Sequence, residues 1–402
     1  MPATTATTEI RPATPDEMPR LAQVVSLSLA LPAQQFAALR PEWTLCAFEN
    51  DQLATAYAAW PFTMRMNGKP MKVAGVTTVS THPTHRRRGN LRAIMETDFR
   101  RRHEQGEPVA ALYASLAAIY QRYGYAIVTT HHSYAIEPRY LQFTRPSEIP
   151  GELRESSPAE LPTLIDVYRR FREQRTAYLH RGAAMWQVSA LGPPAEGETV
   201  SVVLYEERGV PQGYVVYATA QGPADGNRPS QRLQLRDLCW LNPAAYRACW
   251  EHLSRFDLVR QISWPNVPAD DPLPHLLLEP RMLHAASRDG ILARIIDIDR
   301  AFAGRGYQHS GRLSFAATDS LCPWNEGTWT LEVDGADASV RRGGGTALFS
   351  APIDTLSMLL FGQLSATEAW RMGRLDCPDP DALAGADRLL STAYRPFCAD
   401  HF

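Results

Sequence analysis

The chain has 402 residues, too many for one ordinary hydrophobic core, so two or three domains are expected. Its hydrophobic share of 45% and charged share of 21% are those of a soluble globular protein. The net charge of -2 gives no basic surplus for nucleic acid or an anionic membrane, and no apolar run approaches the length of a membrane span. The six cysteines show no C-x-x-C pair and no metal-ligand spacing with a histidine, which points to buried thiols, no disulfide framework and no metal site. Met1 to Arg11 is polar and lacks the apolar core of a signal peptide, so a cytoplasmic location is expected.

In chain order, Ile10 to Leu31 reads as a strand and a helix, with Thr14-Pro15-Asp16-Glu17 as the cap and Leu21, Val24, Val25 and Leu29 at helical spacing. Gln34 to Arg40 is a weaker helix. Thr44 to Phe48 and Leu53 to Trp60 form a hairpin around Glu49-Asn50-Asp51-Gln52, and Asn67-Gly68 marks a second hairpin that leads into a β-rich run, Val73 to Ser80. From about Ser133 the pattern restarts. A strand, the cap Ser157-Pro158-Ala159-Glu160, a helix from Leu161 to Phe171, a hairpin, another strand, the helix Pro243 to Phe256 and the strand Gln261 to Trp264 echo the first part. The proline-dense stretch Trp264 to Arg281 suggests an extended crossover. Leu292 to Phe302 reads as a helix; strands 312–318, 327–333 and 338–341 and helices 354–361, 365–372 and 380–390 complete an α+β unit. The expected fold class is mixed α/β, with domains at 1–136, 137–284 and 285–402.

The chemistry gathers between His82 and Tyr125. Gly89 permits a turn that a Cβ would make costly, and Leu91, Ile94, Met95 and Phe99 then share one helical face. The free N–H groups of that helix start, its dipole and Arg86 to Arg92 suit a pyrophosphate. Val109 to Ser115 reads as the next strand, parallel to the one before Gly89. If the two diverge, an extended arm can satisfy their unpaired backbone groups, as in strand addition. Ser115 and Tyr120 then stand near the far end of that arm.

Arg86-x-x-Gly89-x-Leu91 before a helix, with Tyr120-x-Arg122-x-Gly124-Tyr125, resembles the GCN5-related N-acetyltransferase (GNAT) pattern. Pro83-Thr84-His85-Arg86-Arg87-Arg88-Gly89 and Pro108 to Leu112 resemble, more closely, the enhanced intracellular survival (Eis) family of actinobacterial acetyltransferases. Arg294 to Tyr307, Leu321 to Asn325 and the terminal Phe402 resemble its sterol-carrier-like domain. The resemblance implies two tandem GNAT domains followed by that domain, assembled as a homohexamer. It implies acetyl-CoA bound only by the first domain, through Val79, Ser80, Thr81, Arg87, Arg88, Gly89, Asn90, Leu91, Arg92, Ser115 and Leu116. The general acid falls on Tyr120 and the general base on the terminal carboxylate of Phe402. The implied reaction is acetylation of a small-molecule amine, an aminoglycoside or another polyamine-type compound, through a ternary complex. A protein lysine as acceptor, or a lipid- or small-molecule-binding protein with a vestigial transferase site, are the alternatives.

Three stretches depart from the family pattern. Ser115-Leu116-Ala117-Ala118 stands where Ser-Glu-Gly-Gly is common, Tyr113 replaces a histidine, and His401 replaces an acid. Missing acids weaken the attraction for a polycation, which Asp400 or Glu42 could restore. His401 is also a candidate proton acceptor.

Overall fold

The computed structural model describes residues 8–36, 38–157, 160–223 and 229–402. Residues 1–7 of the polar N-terminus, Ala37 of the expected second helix, and Pro158 and Ala159 of the second cap lie outside the described residues.

The first layer is built from β1 (Thr8–Arg11), α1 (Met18–Leu29), β2 (Cys46–Glu49), β3 (Gln52–Met66), β4 (Lys69–Thr81), α2 (Asn90–Gln105), β5 (Val109–Leu112), α3 (Ala117–Gln121) and β6 (Ala126–Ile127). The Thr14–Glu17 cap holds as expected: the Thr14 N–H donates to Glu17 Oε2 at 2.8 Å, and Leu21, Val24 and Val25 turn inward. The second layer uses β7 (Thr130–Ile136), β8 (Glu152–Glu155), α4 (Leu161–Phe171), α5 (Ala183–Val188), β9 (Glu198–Glu207), β10 (Val210–Gln221), β11 (Gln231–Trp240), α6 (Pro243–Ser254), β12 (Val259–Pro268) and β13 (Ala286–Asp289). The remainder holds β14 (Leu292–Ile295), α7 (Ile298–Ala303), β15 (Gly311–Thr318), β16 (Gly327–Asp334), β17 (Asp337–Arg342), β18 (Phe349–Pro352), α8 (Ile353–Phe361), α9 (Ala366–Arg371) and α10 (Leu383–Leu390).

Two seven-stranded sheets result, in the orders β1-β2-β3-β4-β5-β14-β6 and β13-β7-β12-β11-β10-β9-β8, beside a four-stranded sheet β17-β16-β15-β18. The echo read in the sequence is real at the level of topology. Each large sheet has an antiparallel meander feeding one parallel pair, β4 with β5 and β11 with β12, joined through a helix. The helix ends differ. Asn242 caps α6 by accepting from the Ala245 N–H at 2.8 Å, which fills the position that stays open at Gly89 in the first layer.

Leu292 to Phe302 is not one helix. Leu292–Ile295 is a strand, pairing β5 on one side and β6 on the other, and only Ile298–Ala303 is helical. Apart from Arg294 the run is apolar on both faces, with Ile291 to Ile296 no more than 1% exposed, and periodicity alone does not separate such a strand from a buried helix. The proline-dense stretch also enters the sheet. β12 continues to Pro268, and its ladder with β7 shifts register between Trp264 and Val267, an irregularity that accommodates Pro265. The strand β18, parallel to β15, extends the small sheet beyond the three expected strands.

Arg294 of β14 locks the third unit to the first. Buried at 1% exposure, it donates to Asp319 Oδ1 and Oδ2 at 2.6 and 2.8 Å and to the Tyr123 carbonyl, and it lies 4.4 Å over the Phe99 ring. Replacing Arg294 by Ala strands the Asp319 carboxylate in a core and is expected to destabilise by about 3–5 kcal/mol. The pair Arg294→Met with Asp319→Leu is expected to recover most of that loss. Chemical denaturation of both variants against the native chain checks this.

Candidate active site

The site begins where two strands part. β4 and β5 pair in parallel from Val73↔Val109 to Val76↔Leu112 and then separate. The strand expected to reach Ser115 therefore ends at Leu112, where its backbone partners run out. On β4 the divergence coincides with a bulge. The β3–β4 ladder shifts register between Ala56 and Ala58, and Thr78 takes a left-handed φ of 56°. Among the described residues, Thr77 to Thr81 have no strand partner on the β5 side, and the buried hydroxyls of Thr78 and Ser80 have no hydrogen-bond partner. A polar chain laid along β4 supplies what these groups lack.

The turn beyond β4 is shaped for an anion. Arg87 and Gly89 both have positive φ, at 64° and 89°, and no atom lies within 4 Å of where a Gly89 Cβ would stand. The first bond of α2 runs from the Ala93 N–H to the Gly89 carbonyl at 3.1 Å, so the N–H groups before it have no intrahelical acceptor. The expected apolar face is present, with Ile94, Met95 and Phe99 buried and Leu91 half-buried.

The arginines divide by role. Arg88 stays half exposed and is tied down, donating to Glu49 Oε2 at 2.6 Å and to the Thr84 carbonyl at 2.7 Å. Asn90 donates to Glu49 Oε1 at 2.7 Å, and His85 meets Glu49 Oε2 at 2.9 Å. Arg86 holds the Thr81 carbonyl at 3.3 Å and Arg92 pairs with Glu96 at 2.8 Å. Among the described residues, Arg87 alone of these four arginines makes no hydrogen bond or ion pair. Glu49 is thus the buckle of the loop. The Asn90 amide, with His85 and Arg88, holds its carboxyl down at about 2, so the tie is ionised throughout the physiological range and is lost only as pH falls toward that value. Sequence reading placed Glu49 in a hairpin turn; no local signal marks a residue whose partners lie about forty positions away.

Ser115 and Leu116 are exposed between β5 and α3, at the mouth of the opening. Tyr120, on α3, is 5% exposed and packs with Ala74, Val76, Ala110 and Leu112 under the two strands. Burial pushes its phenol up to about 12, and its hydroxyl has no hydrogen-bond partner among the described residues. It is a protonated, unspent donor.

Phe402 lies on the opposite face of the same strands, packed against the cluster that includes Val73, Val109 and Ala111. Its ring meets Phe62 at 5.0 Å and Tyr113 at 5.4 Å between centroids. Gly75 on β4 makes the room: a Cβ there would stand 2.4 Å from Phe62 and 3.2 Å from Phe402. The tail leading to Phe402 is anchored at every step. Phe397 N–H donates to the Thr176 carbonyl at 3.1 Å, Tyr113 Oη donates to the Cys398 carbonyl at 3.2 Å, and Arg181 bridges Asp400 at 2.8 Å and Asp237 at 2.5 Å. Asp400 is 1% exposed and already paired, so it cannot attract a polycation. Two of the departures from the family pattern touch each other: Tyr113 and His401 stack at 4.3 Å and 17°.

The opening therefore gathers Val79, Ser80 and Thr81, the turn from Arg87 to Arg92, and Ser115 with Leu116. Tyr120 borders it from one face of the sheet and Phe402 from the other. Gly75, Phe62 and Glu49 join them from outside the residues that sequence reading singled out. No group of three or more His, Cys, Asp or Glu side chains suited to a metal ion occurs among the described residues. No helix among them is long and apolar enough to cross a membrane.

Residues 9–128 and 177–295 each match a model described as an acetyltransferase (GNAT) domain, and residues 298–399 match a sterol carrier protein domain. An uncharacterized N-acetyltransferase of Streptomyces avermitilis is 29% identical over 88% of both chains. The N-acetyltransferase Eis of Mycobacterium tuberculosis is 30% identical over 80% of this chain and 79% of that one. The crystal structure of Eis1 from Mycobacterium abscessus is 29% identical and superimposes with a TM-score of 0.83, covering 98% of this chain and all of that one. With two tandem GNAT domains followed by a sterol-carrier-like domain, this chain is an acyltransferase and belongs to the Eis family of GNAT N-acetyltransferases.

Proposed function

We propose that the protein transfers an acetyl group from acetyl-CoA directly to a small-molecule amine within a ternary complex, in the first domain only. The observation that carries this reading is the continuity of the parted β4 edge with the open Gly89 turn and the unpaired Arg87. The α2 N–H groups and Arg87 would hold the pyrophosphate, with Arg88 and Asn90 shaping the turn through Glu49 rather than facing the ligand. The β4 edge from Thr77 to Thr81 would pair the pantetheine arm, and Ser115 and Leu116 would border its thioester end. The domain limits 1–136, 137–284 and 285–402, crossed by β7 in the second sheet and by β14 in the first, and assembly into a homohexamer belong to the same proposal. Light scattering tests the assembly.

The acceptor nitrogen attacks the thioester carbonyl, the C–S bond breaks, and amide and thiol result. Tyr120 donates its proton toward the departing sulfur; the terminal carboxylate of Phe402 accepts the proton that the amine loses, directly or through water. At about 12 the phenol is a weaker acid than a thiol near ~8.5, so donation to the thiolate is uphill by that difference, and the phenolate left behind is made good by the proton that the amine has given up. The acid and the base therefore depend on each other. Polycationic acceptors such as aminoglycosides gain little support, because Asp400 is committed to Arg181.

Calorimetry is expected to show acetyl-CoA binding, and its absence would sink the proposal. Arg87→Ala should weaken that binding about tenfold, the scale of one hydrogen bond to a charged group. Glu49→Gln should raise KM for acetyl-CoA more than it lowers kcat. Tyr120→Phe should lower kcat by about 10²-fold or more with acetyl-CoA affinity retained. In the native enzyme no alkaline limb from this phenol should appear in kcat until pH nears 12. Adding a single residue after Phe402 should abolish turnover while leaving acetyl-CoA affinity intact; full activity of the extended chain would remove the carboxylate from the mechanism.

A further inference from the structure

Four buried side-chain nitrogens at the junction of the first and second layers have no acceptor among the described residues. Near its end β3 forms a short antiparallel ladder with residues 177–180. The His180 N–H donates to the Thr63 carbonyl at 2.8 Å, the Arg65 N–H to the Tyr178 carbonyl at 2.8 Å, and the Ala177 N–H to the Arg65 carbonyl at 2.7 Å. Met64 and Leu179, directly paired, turn into the core on one face, so Arg65 and His180 turn to the other. α4 ends over that second face. Its Tyr168 hydroxyl donates to the Leu179 carbonyl at 2.9 Å, and its Phe171 packs on Tyr178 at 5.8 Å. Arg172 closes the helix, with its guanidinium 5.7 Å from the centre of the Tyr168 ring.

The unpaired atoms are Arg65 Nε, Arg172 Nε and Nη1, and His180 Nε2. Arg172 is 8% exposed, and its guanidinium makes no hydrogen bond or ion pair among the described residues. Arg65 spends only Nη1, on the Gly68 carbonyl at 2.6 Å. Arg65 and His180 are half-buried, so the cluster has a mouth to solvent. The nearby carboxylates are taken: Asp166 pairs with Arg169 and Arg170, and Asp237 and Asp400 pair with Arg181. Glu173, next to Arg172, is exposed and pairs with none of the three. Burial first, then Arg65, Arg169 and Arg181, hold Arg172 below the usual guanidinium range against the opposite pull of Tyr168. Burial, then Arg172 and Arg65, push His180 down to about 4. A buried cation without a partner is costly, and a protein normally pairs it or replaces it. α4 presents its C-terminal end here, so its dipole offers an anion nothing and the three side chains supply all the attraction.

We infer that Arg65, Arg172 and His180 form a site for a dianionic oxyanion, of which inorganic phosphate is the simplest. Two guanidinium forks and one imidazole, converging from β3, the end of α4 and residues 177–180, match several oxygens carried on one centre. No bond holds the Arg172 or His180 side chain, so both are free to turn toward the mouth and meet the ligand there. The bound anion ties the end of β3 to α4 across the segment that leads into Arg181, the residue that holds Asp237 and Asp400. The site braces the root of that clamp. It stands apart from the opening between β4 and β5, and it does not depend on the acetyl-transfer reading.

The test is calorimetry and thermal unfolding of the full chain in sodium phosphate against sodium chloride, at neutral pH and matched ionic strength. Phosphate is expected to bind saturably and to raise the unfolding midpoint, and chloride to do neither. Arg172→Met should weaken phosphate binding by about tenfold or more. Without phosphate its midpoint should equal or exceed the native one, because an uncompensated buried charge has been removed. Arg172→Lys, which keeps the charge but not the fork, should also bind phosphate more weakly than the native chain. Arg87→Ala, altered at the Gly89 turn, should keep the native response. Equal responses to phosphate and chloride overturn the inference, as does native phosphate affinity in Arg172→Met. A midpoint for Arg172→Met below the native one in the absence of phosphate also overturns it, since the guanidinium would then be a structural contact. Should Arg172→Met fail to fold, Arg172→Lys decides, and native affinity there overturns the inference. Loss of the phosphate response in Arg87→Ala assigns the anion to the Gly89 turn and overturns it as well.

Discussion

Two parallel strands cannot part without leaving backbone groups that want partners, and the rest of this site depends on that constraint. A protein normally closes such a gap with another strand or a side chain, because an unpaired buried N–H or carbonyl costs as much as a lost hydrogen bond. Here the gap between β4 and β5 is kept. The bulge at Thr78 turns β4 away, β14 pairs β5 only along Val109 to Leu112, and α3 begins too late to fill the space. The same geometry sets the ends of the opening. At one end is a helix start with open N–H groups, and at the other a short helix carrying Tyr120. The second layer repeats the topology but caps its helix with Asn242, whose side chain accepts from the Ala245 N–H.

The second condition is placement of the chain's last residues. A tail of five or six residues ordinarily frays. This one crosses between two cores, with Phe397 packed in the second layer and Phe402 against the first. The Asp237–Arg181–Asp400 cluster is costly to desolvate, and ion clusters of this kind contribute more to fixing one arrangement than to net stability. What it fixes is the register of the tail: a slip of one residue would remove Asp400 from Arg181 and Phe402 from the space over Gly75 together.

Much of the site was legible because its residues carry unusual local demands. Gly89 must adopt a positive φ, the apolar face of α2 has helical spacing, and Tyr120 follows a strand at the distance a short helix requires. Those signals are local, so one sequence suffices to read them. Glu49 and Gly75 were not legible for the opposite reason. Their roles arise from partners reached only after folding, and as isolated residues they read as a turn acid and a strand glycine. Arg88 was read as part of the anion turn without its tie to Glu49, a partner 39 positions away. Leu292 to Ile295 was read as the wrong element because a fully buried strand and a buried helix share the same apolar signature.

The third unit then acquires a purpose that its own sheet does not explain. Its described core is filled by side chains such as Leu331, Leu356, Leu359, Leu360 and Phe361, all fully buried, which is the composition of a structural support. It reaches the transferase site by two routes. Arg294 binds the Tyr123 carbonyl, three residues past Tyr120, and the chain beyond α10 delivers Phe402 to the other face of β4 and β5. One route steadies the segment that follows Tyr120; the other holds Phe402 against β4 and β5. In the proposed mechanism the proton lost by the amine replaces the one given by Tyr120, so holding both groups to one frame is a chemical condition as well as a mechanical one.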